Sequence, residues 1–372
     1  MFKLLFVFLL SLVLSIQAVV AERIKPSDEK NALNENALKI IEIINHPDIA
    51  VGIELEPYTD VSVKPDRIKE VTSLVRDGNK ALRLEIKPGD CGTPWPIQVG
   101  GWDDCGKGNE RIGVNEESKR LGEWFYTVSL FLDQETFSKI PLRQTHMNLM
   151  QWLDQKSEYG PVFNLMWFWG NPTVNYLNVP SVMIPPMSLV IDNRLSKFKE
   201  NEPNGYNAWP PMKVVGTDAG NNNITGKWLD FTVYANWSKD ASGWFIVGLN
   251  NELILDYRGA TIEPRSNGLV FDVQLYRYGS MEARNENENG IVRGNTNNVL
   301  FADNIGVFAS LDKLKNDRER FAGMAKRLVK ALVTPREDSA KFQPPYKTNY
   351  YSYYENLNLR YEDCSASPFC DF

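Results

Sequence analysis

Residues 227–259 carry the pattern that decides the fold: KWLDFTVYANWSKDASGWFIVGLNNELILDYRG. Apolar runs rich in aromatic and β-branched residues alternate here with short polar stretches, which is typical of β-strands joined by turns. The Asn250-Asn251 pair lies between two of these runs and predicts a two-residue hairpin turn.

The same pattern extends over residues 50–310, where short apolar runs are separated by Gly, Pro, Asn and Asp. Many short strands with almost no helix predict an all-β fold, a two-sheet sandwich of the jelly-roll type. We therefore expect one large β domain over residues 50–310.

The flanking segments differ in composition from the β domain. Residues 28–45 predict a short amphipathic helix within a lead-in that spans 22–49. Residues 312–333 have apolar side chains at helical spacing and Pro335 beyond them, which predicts a second helix. This helix and a Tyr-rich tail make up residues 311–372.

Residues 1–21 read as a secretory signal peptide, with one Lys, an apolar run from Leu4 to Ile16, and small residues at Val19 and Ala21. The run is too short to span a bilayer comfortably, although a retained N-terminal anchor is the alternative. We expect a secreted or periplasmic protein without membrane contact once the signal is cleaved.

Charge and rare residues exclude several classes of protein. The formal charge is −6 and no basic block stands out, so nucleic acid is not an expected partner. Only His46 and His146 occur, which argues against a His-rich zinc or copper site. We expect a monomer.

The four cysteines fit two disulfides in an oxidising compartment. Three pairings are open, and we favour the local one because each bridge then closes a short loop. This pairing joins Cys91 to Cys105 and Cys364 to Cys370.

Three strands carry unusual polar residues on one face: NERIGV (109–114), QTHMNLM (144–150) and FDVQLYRY (271–278). Alternation places Ile, Val, Met, Leu and Phe on one side and Asn, Arg, Gln, His, Asp and Tyr on the other. A plain wet face would carry Lys, Glu, Ser and Thr instead. These faces suit the recognition of sugars.

At these strands, and in KALRLEIKPGD (80–90), EWFYTVSLFL (123–132), residues 227–259 and VLFADNIGVF (299–308), the chain resembles a known family. The resemblance is to jelly-roll polysaccharide lyases of the heparinase I and glucuronan lyase type, within the concanavalin A-like superfamily. It covers about residues 50–310 and leaves out the C-terminal helix and tail. Such folds also serve lectins and hydrolases.

The resemblance implies a groove lined by an Arg strand, a Gln-x-His strand and a Tyr strand. Carried over by position, Arg111 and Gln144 bind substrate, while His146 and Tyr276 are the catalytic residues. From their place on the same faces we add Asn148, Gln274 and Tyr278 as further substrate-binding residues, and we add Gln151 from its match to the family's Gln-Trp-His run. Where this chain has Asp272 and Gln274 the family often has Lys and Gly, which puts the substrate class in doubt.

The position of the family's Gln is open between two registers. Alternation favours Gln144 and His146, because the face that would hold Gln151 with Met147 and Leu149 looks like core. The run MQWLDQ (150–155) matches the family's Gln-Trp-His by distance, but Leu153 then stands where His belongs. A β-bulge would bring Gln151 round to the groove.

The predicted reaction is β-elimination on a uronic-acid-containing polysaccharide, an acidic partner. Arg111 and Gln144, with Asn148, would neutralise the uronate carboxylate; His146 would act as base and Tyr276 as acid, or as both base and acid. Arg277 has the wrong parity for the groove, and we expect a structural ion pair there.

No cofactor is expected to be required, although the resemblance implies structural calcium in relatives. Asp303 and Asn304 are the candidate ligands, but an Asp-Asn pair before a strand more often marks a turn. No metal site is assigned.

Two other functions remain as alternatives. A glycoside hydrolase needs two carboxylates, and Glu54 with Glu56 offers the spacing, although Pro57 interrupts the strand. A non-catalytic glycan-binding protein would keep the aromatic and Asn residues without a His and Tyr poised together.

Overall fold

The computed structural model describes residues 35–57, 66–90, 104, 109–116, 118–139, 146–154, 161–169, 188–193, 213–217, 224–264, 266–277 and 296–334. The predicted signal peptide, the C-terminal tail and the four cysteines lie outside these residues. Gln144 and Tyr278 also lie outside them.

Fifteen strands and four helices make up the described chain. The strands are β1 (Ala50–Val51), β2 (Leu55–Pro57), β3 (Ile68–Val71), β4 (Ala81–Ile86), β5 (Glu110–Glu116), β6 (Gly122–Leu132), β7 (His146–Leu153), β8 (Pro161–Phe168), β9 (Ser188–Asn193), β10 (Lys213–Thr217), β11 (Trp228–Trp237), β12 (Trp244–Leu249), β13 (Glu252–Arg258), β14 (Val270–Arg277) and β15 (Asn298–Phe308). The helices are α1 (Glu35–Ile44), α2 (Gln134–Phe137), α3 (Leu311–Asp317) and α4 (Glu319–Val333).

The strands form two sheets, and the predicted two-sheet, all-β sandwich is confirmed. One sheet has seven strands in the order β10-β9-β8-β7-β14-β5-β2, all antiparallel. The other has eight strands in the order β13-β12-β11-β6-β15-β4-β3, with β1 added in parallel to β15. Strand β14 lies between β7 and β5, so it brings together segments distant in sequence.

The core lies between the two sheets and is rich in aromatic side chains. Phe163 of the seven-stranded sheet stacks on Phe245 of the eight-stranded sheet, with ring centroids 4.0 Å apart. Trp152 meets Phe245 edge to face at 5.0 Å. Burial of such rings is the main favourable term that holds the sheets together.

The hairpin predicted at Asn250-Asn251 is confirmed. Both residues have positive φ angles, 46° and 69°, and they join β12 to β13. A two-residue turn of this type needs positive φ at both positions, and Asn tolerates that backbone better than other non-Gly residues.

The C-terminal helices pack on the outer face of the eight-stranded sheet. Phe321, Met324 and Leu328 of α4 bury themselves against Phe125 and other apolar residues of that face. A Cβ on Gly248 would lie 2.5 Å from Met324 Sδ, so glycine makes room for the methionine. The helix therefore covers sheet surface that would otherwise be exposed.

One helix boundary differs from the sequence prediction. The predicted helix over 312–333 is broken at Arg318, whose φ of −141° leaves the helical region and separates α3 from α4. The N-terminal helix is described over Glu35–Ile44, and its predicted start at 28 lies outside the described residues. None of the helices in the described ranges has the length and apolar content needed to span a membrane.

Candidate active site

Pairing of β5, β14 and β7 places the three predicted polar strands side by side. Tyr276 of β14 lies opposite Arg111 on one side and Asn148 on the other. Residues directly opposite each other in antiparallel strands point to the same face. All three point away from the core, whereas their neighbours Ile112 and Leu275 point into it.

The polar side chains on this outer side of the seven-stranded sheet form what we call the polar face. Its residues are Arg111, His146, Asn148, Gln151, Asn164, Asp272, Gln274 and Tyr276. Each is more than nine-tenths shielded from solvent. Polar groups held in such shielded surroundings interact more strongly than they do in water.

A bulge in β7 brings described residues of both candidate registers to one face of the sheet. Asn148 and Met150 pair with adjacent residues of β8, Met166 and Leu165, so Leu149 is an extra residue. Leu149 and Met150 both enter the core. Gln151 therefore returns to the polar face together with His146 and Asn148, so two candidate positions that the sequence treated as alternatives lie on one face.

Amide groups link three strands across the polar face. Gln151 Nε2 donates to Asp272 Oδ2 at 2.6 Å. Asn148 Nδ2 lies 3.4 Å from Gln151 Oε1 and 3.5 Å from Asn164 Oδ1. The carboxylate of Asp272, an unexpected charge at this position, is thus held by an amide of the next strand.

Tyr276 makes hydrogen bonds to two residues from before β5. Its hydroxyl donates to Asp104 Oδ1 at 2.9 Å and accepts from Asn109 Nδ2 at 3.0 Å. The Asn109 backbone N–H donates to the Asp104 carbonyl at 2.8 Å, which holds the two residues in one turn. The Tyr276 hydroxyl is therefore held by one hydrogen bond that it donates and one that it accepts.

Arg111 packs over the ring of Tyr276. Its Cζ lies 3.8 Å from the ring centroid, a cation–π contact. Its Nε lies 3.1 Å from Asp104 Oδ2 in an ion pair. One cation, one phenol and one carboxylate thus share a small volume.

Burial raises the pKa of the Tyr276 phenol above its ordinary value. The Arg111 cation opposes this shift, while the charge of Asp104 adds to it. The phenol therefore stays protonated at neutral pH, which suits a proton donor better than a base.

Gln274 is fully buried in the middle of the polar face, and neither atom of its amide has a hydrogen-bond partner in the described part of the chain. Gly113 lies opposite it in β5. A Cβ at Gly113 would come within 2.5 Å of Gln274 Cβ and 2.8 Å of the Val273 carbonyl oxygen, so only glycine allows the two strands to approach. An unsatisfied buried amide costs about 1–3 kcal/mol, which marks this position as unusual.

His146 lies at the start of β7, buried, with its ring stacked on Phe168 at 5.4 Å. It is two residues from Asn148, the partner of Tyr276. Strand geometry then places its Cα about 7 Å along and about 5 Å across from Tyr276.

Arg277 points into the sandwich, as its parity predicted. It forms a buried ion pair with Glu110 and donates to Asn298 Oδ1 at 2.8 Å. The expected structural role of Arg277 is confirmed, which leaves Arg111 as the cation beside Tyr276.

Asp303 and Asn304, the residues considered as calcium ligands, lie within β15. The Asp303 carboxylate accepts from the backbone N–H groups of Arg76, Asp77 and Asn304. Asn304 has a positive φ of 53° at a bulge in β15, so the pair forms a bulge and not the turn before a strand that the sequence suggested. The described ranges contain no group of three or more His, Cys, Asp or Glu arranged to hold a metal.

The two carboxylates considered for hydrolysis lie at β2, an edge strand of the seven-stranded sheet. Glu54 is exposed and precedes β2, whereas Glu56 lies within β2 opposite Asn115.

Sequence reasoning missed Asp104 and Asn164 as members of the site. Alternation placed Asn109 on the same face as Arg111, but it was not named as a site residue. Asp104 carries no such signal because it lies outside any strand, and Asn164 sits in a strand that otherwise reads as apolar.

Comparison with known proteins gives a family and distant structural similarities. The family model described as polysaccharide lyase matches residues 50–306. No curated protein matches the sequence.

Three solved structures illustrate the structural similarities. The endo-β-1,4-glucuronan lyase from the fungus Trichoderma reesei is 15% identical with a TM-score of 0.40, covering 66% of this chain and 87% of its own. The alginate lyase from Aplysia kurodai is 11% identical with a TM-score of 0.35, covering 66% and 88%. The catalytic domain of a glycoside hydrolase family 131 protein from Coprinopsis cinerea is 12% identical with a TM-score of 0.38, covering 70% and 84%.

The family match spans most of the β sandwich, including β5, β7 and β14 with the polar face. The chain belongs to the polysaccharide lyase family and is a polysaccharide lyase.

Proposed function

We propose that the protein is a secreted lyase that cleaves a uronic-acid-containing polysaccharide by β-elimination on the polar face. The observation that carries the proposal is the cross-strand pair of Arg111 and Tyr276, which joins a cation to a protonated phenol in one shielded site. Secretion rests on the signal-like character of residues 1–21.

Neutralisation of the uronate carboxylate is the first requirement of the reaction. β-Elimination removes the proton beside this carboxylate, and that proton is acidic only if the growing negative charge is neutralised. Arg111 supplies the positive charge, while the Asn148 amide on the opposite side of Tyr276 supplies a hydrogen-bond donor. We keep Gln144 as a further donor on the evidence of sequence alone.

Proton removal and proton donation fall to two different residues in this proposal. His146 acts as the base, because its unperturbed pKa lies near neutrality and it lies on the neighbouring strand, two residues from the Asn148 that pairs with Tyr276. Tyr276 acts as the acid and protonates the departing glycosidic oxygen, since burial keeps its phenol protonated. The electron pair of the broken C–O bond leaves with that oxygen, and a C=C bond forms in the uronate.

The remaining polar side chains extend the site along the strands. Gln274 and Asp272 precede Tyr276 in β14 at intervals of two residues, about 7 Å each, so they face sugars next to the cleaved one. Gln151 holds Asp272 in place. On sequence grounds Tyr278 would continue the row in the other direction.

Incubation with purified polymers tests this function. The protein lacking residues 1–21 is mixed with glucuronan, alginate, a heparin-like polymer and a pectin-like polymer. The ultraviolet absorbance of an unsaturated uronate should appear with at least one of them. New reducing ends without that absorbance indicate a hydrolase, and binding without either product indicates a glycan-binding protein.

A further inference from the structure

The carboxylate of Asp104 is held by the groups that a uronate carboxylate needs. It accepts the Tyr276 O–H at 2.9 Å, lies 3.4 Å from Asn109 Nδ2, and forms an ion pair with Arg111 Nε at 3.1 Å. Its exposed fraction is 3%. A carboxylate with several convergent donors and a cation is well stabilised, whether it comes from the protein or from a ligand.

Arg111 and Asn109 can hold only one carboxylate at a time. Arg111 is fixed over the Tyr276 ring with its Nε 3.1 Å from Asp104 Oδ2. The Asp104 carboxylate and a substrate carboxylate would also repel each other if both lay beside Arg111 in shielded surroundings. A substrate carboxylate therefore competes with Asp104 and does not bind beside it.

We infer that Asp104 occupies the subsite of the substrate carboxylate in the free enzyme, and that Arg111 and Asn109 form that subsite, while the Tyr276 O–H that Asp104 accepts in the free enzyme turns to the departing glycosidic oxygen once substrate is bound. This inference rests on the proposed function, because it assigns the ligand of Arg111, the proposed substrate-binding cation. The class of ligand is a sugar carboxylate, and a neutral sugar has no group that replaces Asp104.

The inference predicts a gain of affinity when Asp104 is removed, which is the opposite of the result for an ordinary structural residue. Competition by an internal group lowers the apparent affinity in proportion to the fraction of molecules in which the subsite is filled. Hydrogen bonds to charged groups are among the stronger ones, so we expect the change to be about tenfold or more.

Calorimetric titration with sodium glucuronate is the direct test, because it needs no turnover. Asp104→Ala should bind glucuronate at least about tenfold more tightly than the wild type, and glucose should bind neither. Asp104→Asn, which keeps the shape and loses the charge, should also gain affinity and serves if the alanine variant does not fold. The matched control is Asp240→Asn, an exposed acid on a distant turn, and it should behave as the wild type.

A double variant identifies the groups involved. Adding Arg111→Leu to Asp104→Ala should abolish the gained affinity, because the cation of the subsite is then missing. Equal glucuronate affinity in the wild type and in both Asp104 variants overturns the inference, as does the absence of binding to all three. Failure of the proposed β-elimination is a separate result, since glucuronate binding to Asp104→Ala is measured without any polymer.

Discussion

Arg111 lies over the ring of Tyr276 because the two residues face each other across β5 and β14, with Arg111 Cζ 3.8 Å from the ring centroid. The contact joins a permanent cation to the only tyrosine placed on the polar face within the described ranges. The two strands β5 and β14 are far apart in the chain. Only their pairing in the sheet brings Arg111 next to Tyr276.

Removal of the Tyr276 hydroxyl should abolish turnover and spare the fold. Tyr276→Phe keeps the ring under Arg111 but loses the proton that the departing oxygen needs, so we expect kcat to fall by about 10²–10⁴-fold. Steady-state kinetics on the best polymer measures the loss. The matched control is Tyr234→Phe, whose hydroxyl donates to Glu123 on the other sheet and whose loss should leave kcat unchanged.

Gly113→Ala should impair both stability and activity. The new Cβ would meet the Gln274 Cβ at 2.5 Å and the Val273 carbonyl at 2.8 Å, and backbone atoms cannot move without separating β5 from β14. Urea unfolding should show a loss of about 1–3 kcal/mol, and kcat should fall because Arg111 shifts relative to Tyr276.

Gly323→Ala is the control for that substitution. Gly323 lies in α4 with no atom within 4 Å of an added Cβ, so the variant should gain about 0.5–1 kcal/mol. A Gly113→Ala variant as stable and active as the wild type would contradict the tight strand contact.

Gln274→Leu should raise stability and weaken substrate binding. The buried amide of Gln274 has no partner in the described part of the chain, so an apolar side chain of similar size relieves a cost of about 1 kcal/mol or more. If the amide serves a sugar, KM should rise in the same variant. Thermal unfolding and KM are the two measurements.

The opposite stability result is expected for Gln151→Leu, because that amide donates to Asp272 and its loss leaves a buried carboxylate short of a donor. Loss of stability in Gln274→Leu with unchanged KM would show that Gln274 has a structural role only.

Much of this architecture could be predicted from the sequence because it follows from local rules. Alternation gave the correct faces for Arg111 and Tyr276 and the inward direction of Arg277, and the Asn250-Asn251 turn follows from backbone sterics. These features depend on a residue and its near neighbours in the chain.

Other features depend on contacts that alternation does not encode. The extra residue at Leu149 breaks the period of two, and only pairing with β8 shows where it falls. Asp104 reaches Tyr276 from 172 positions away, without any strand pattern to mark it. The bulge at Asp303 in β15 likewise involves backbone donors from Arg76 and Asp77.

Stability should fall as pH rises toward neutrality because of one buried carboxyl. Burial raises the pKa of Glu116 from its ordinary 4.5 to about 7, although the neighbouring Arg120 opposes the shift. Between these values the folded protein holds a proton that the unfolded chain has lost, so the free energy of unfolding decreases with pH and levels off above about 7. Between the two pKa values the free energy of unfolding decreases by about 3 kcal/mol at most.

Glu116→Gln should remove this part of the pH dependence. Urea unfolding at about pH 5 and about pH 8 should show a smaller difference for the variant than for the wild type. Glu252→Gln, an exposed residue of β13, is the control and should keep the wild-type slope. Identical slopes in wild type and Glu116→Gln would show that this carboxyl titrates normally.

The central claim is that the chain breaks a glycosidic bond by elimination, and the fate of water tests it most directly. The reaction is run in water enriched in oxygen-18 with the polymer that gives the most product, and the new reducing ends are reduced with borohydride at once, before their anomeric oxygen exchanges with water. Mass spectrometry then gives the product masses. Elimination predicts an unsaturated product that is lighter than the hydrolysis product by one water and carries no label. Products that contain the heavy oxygen at the new end would contradict the account.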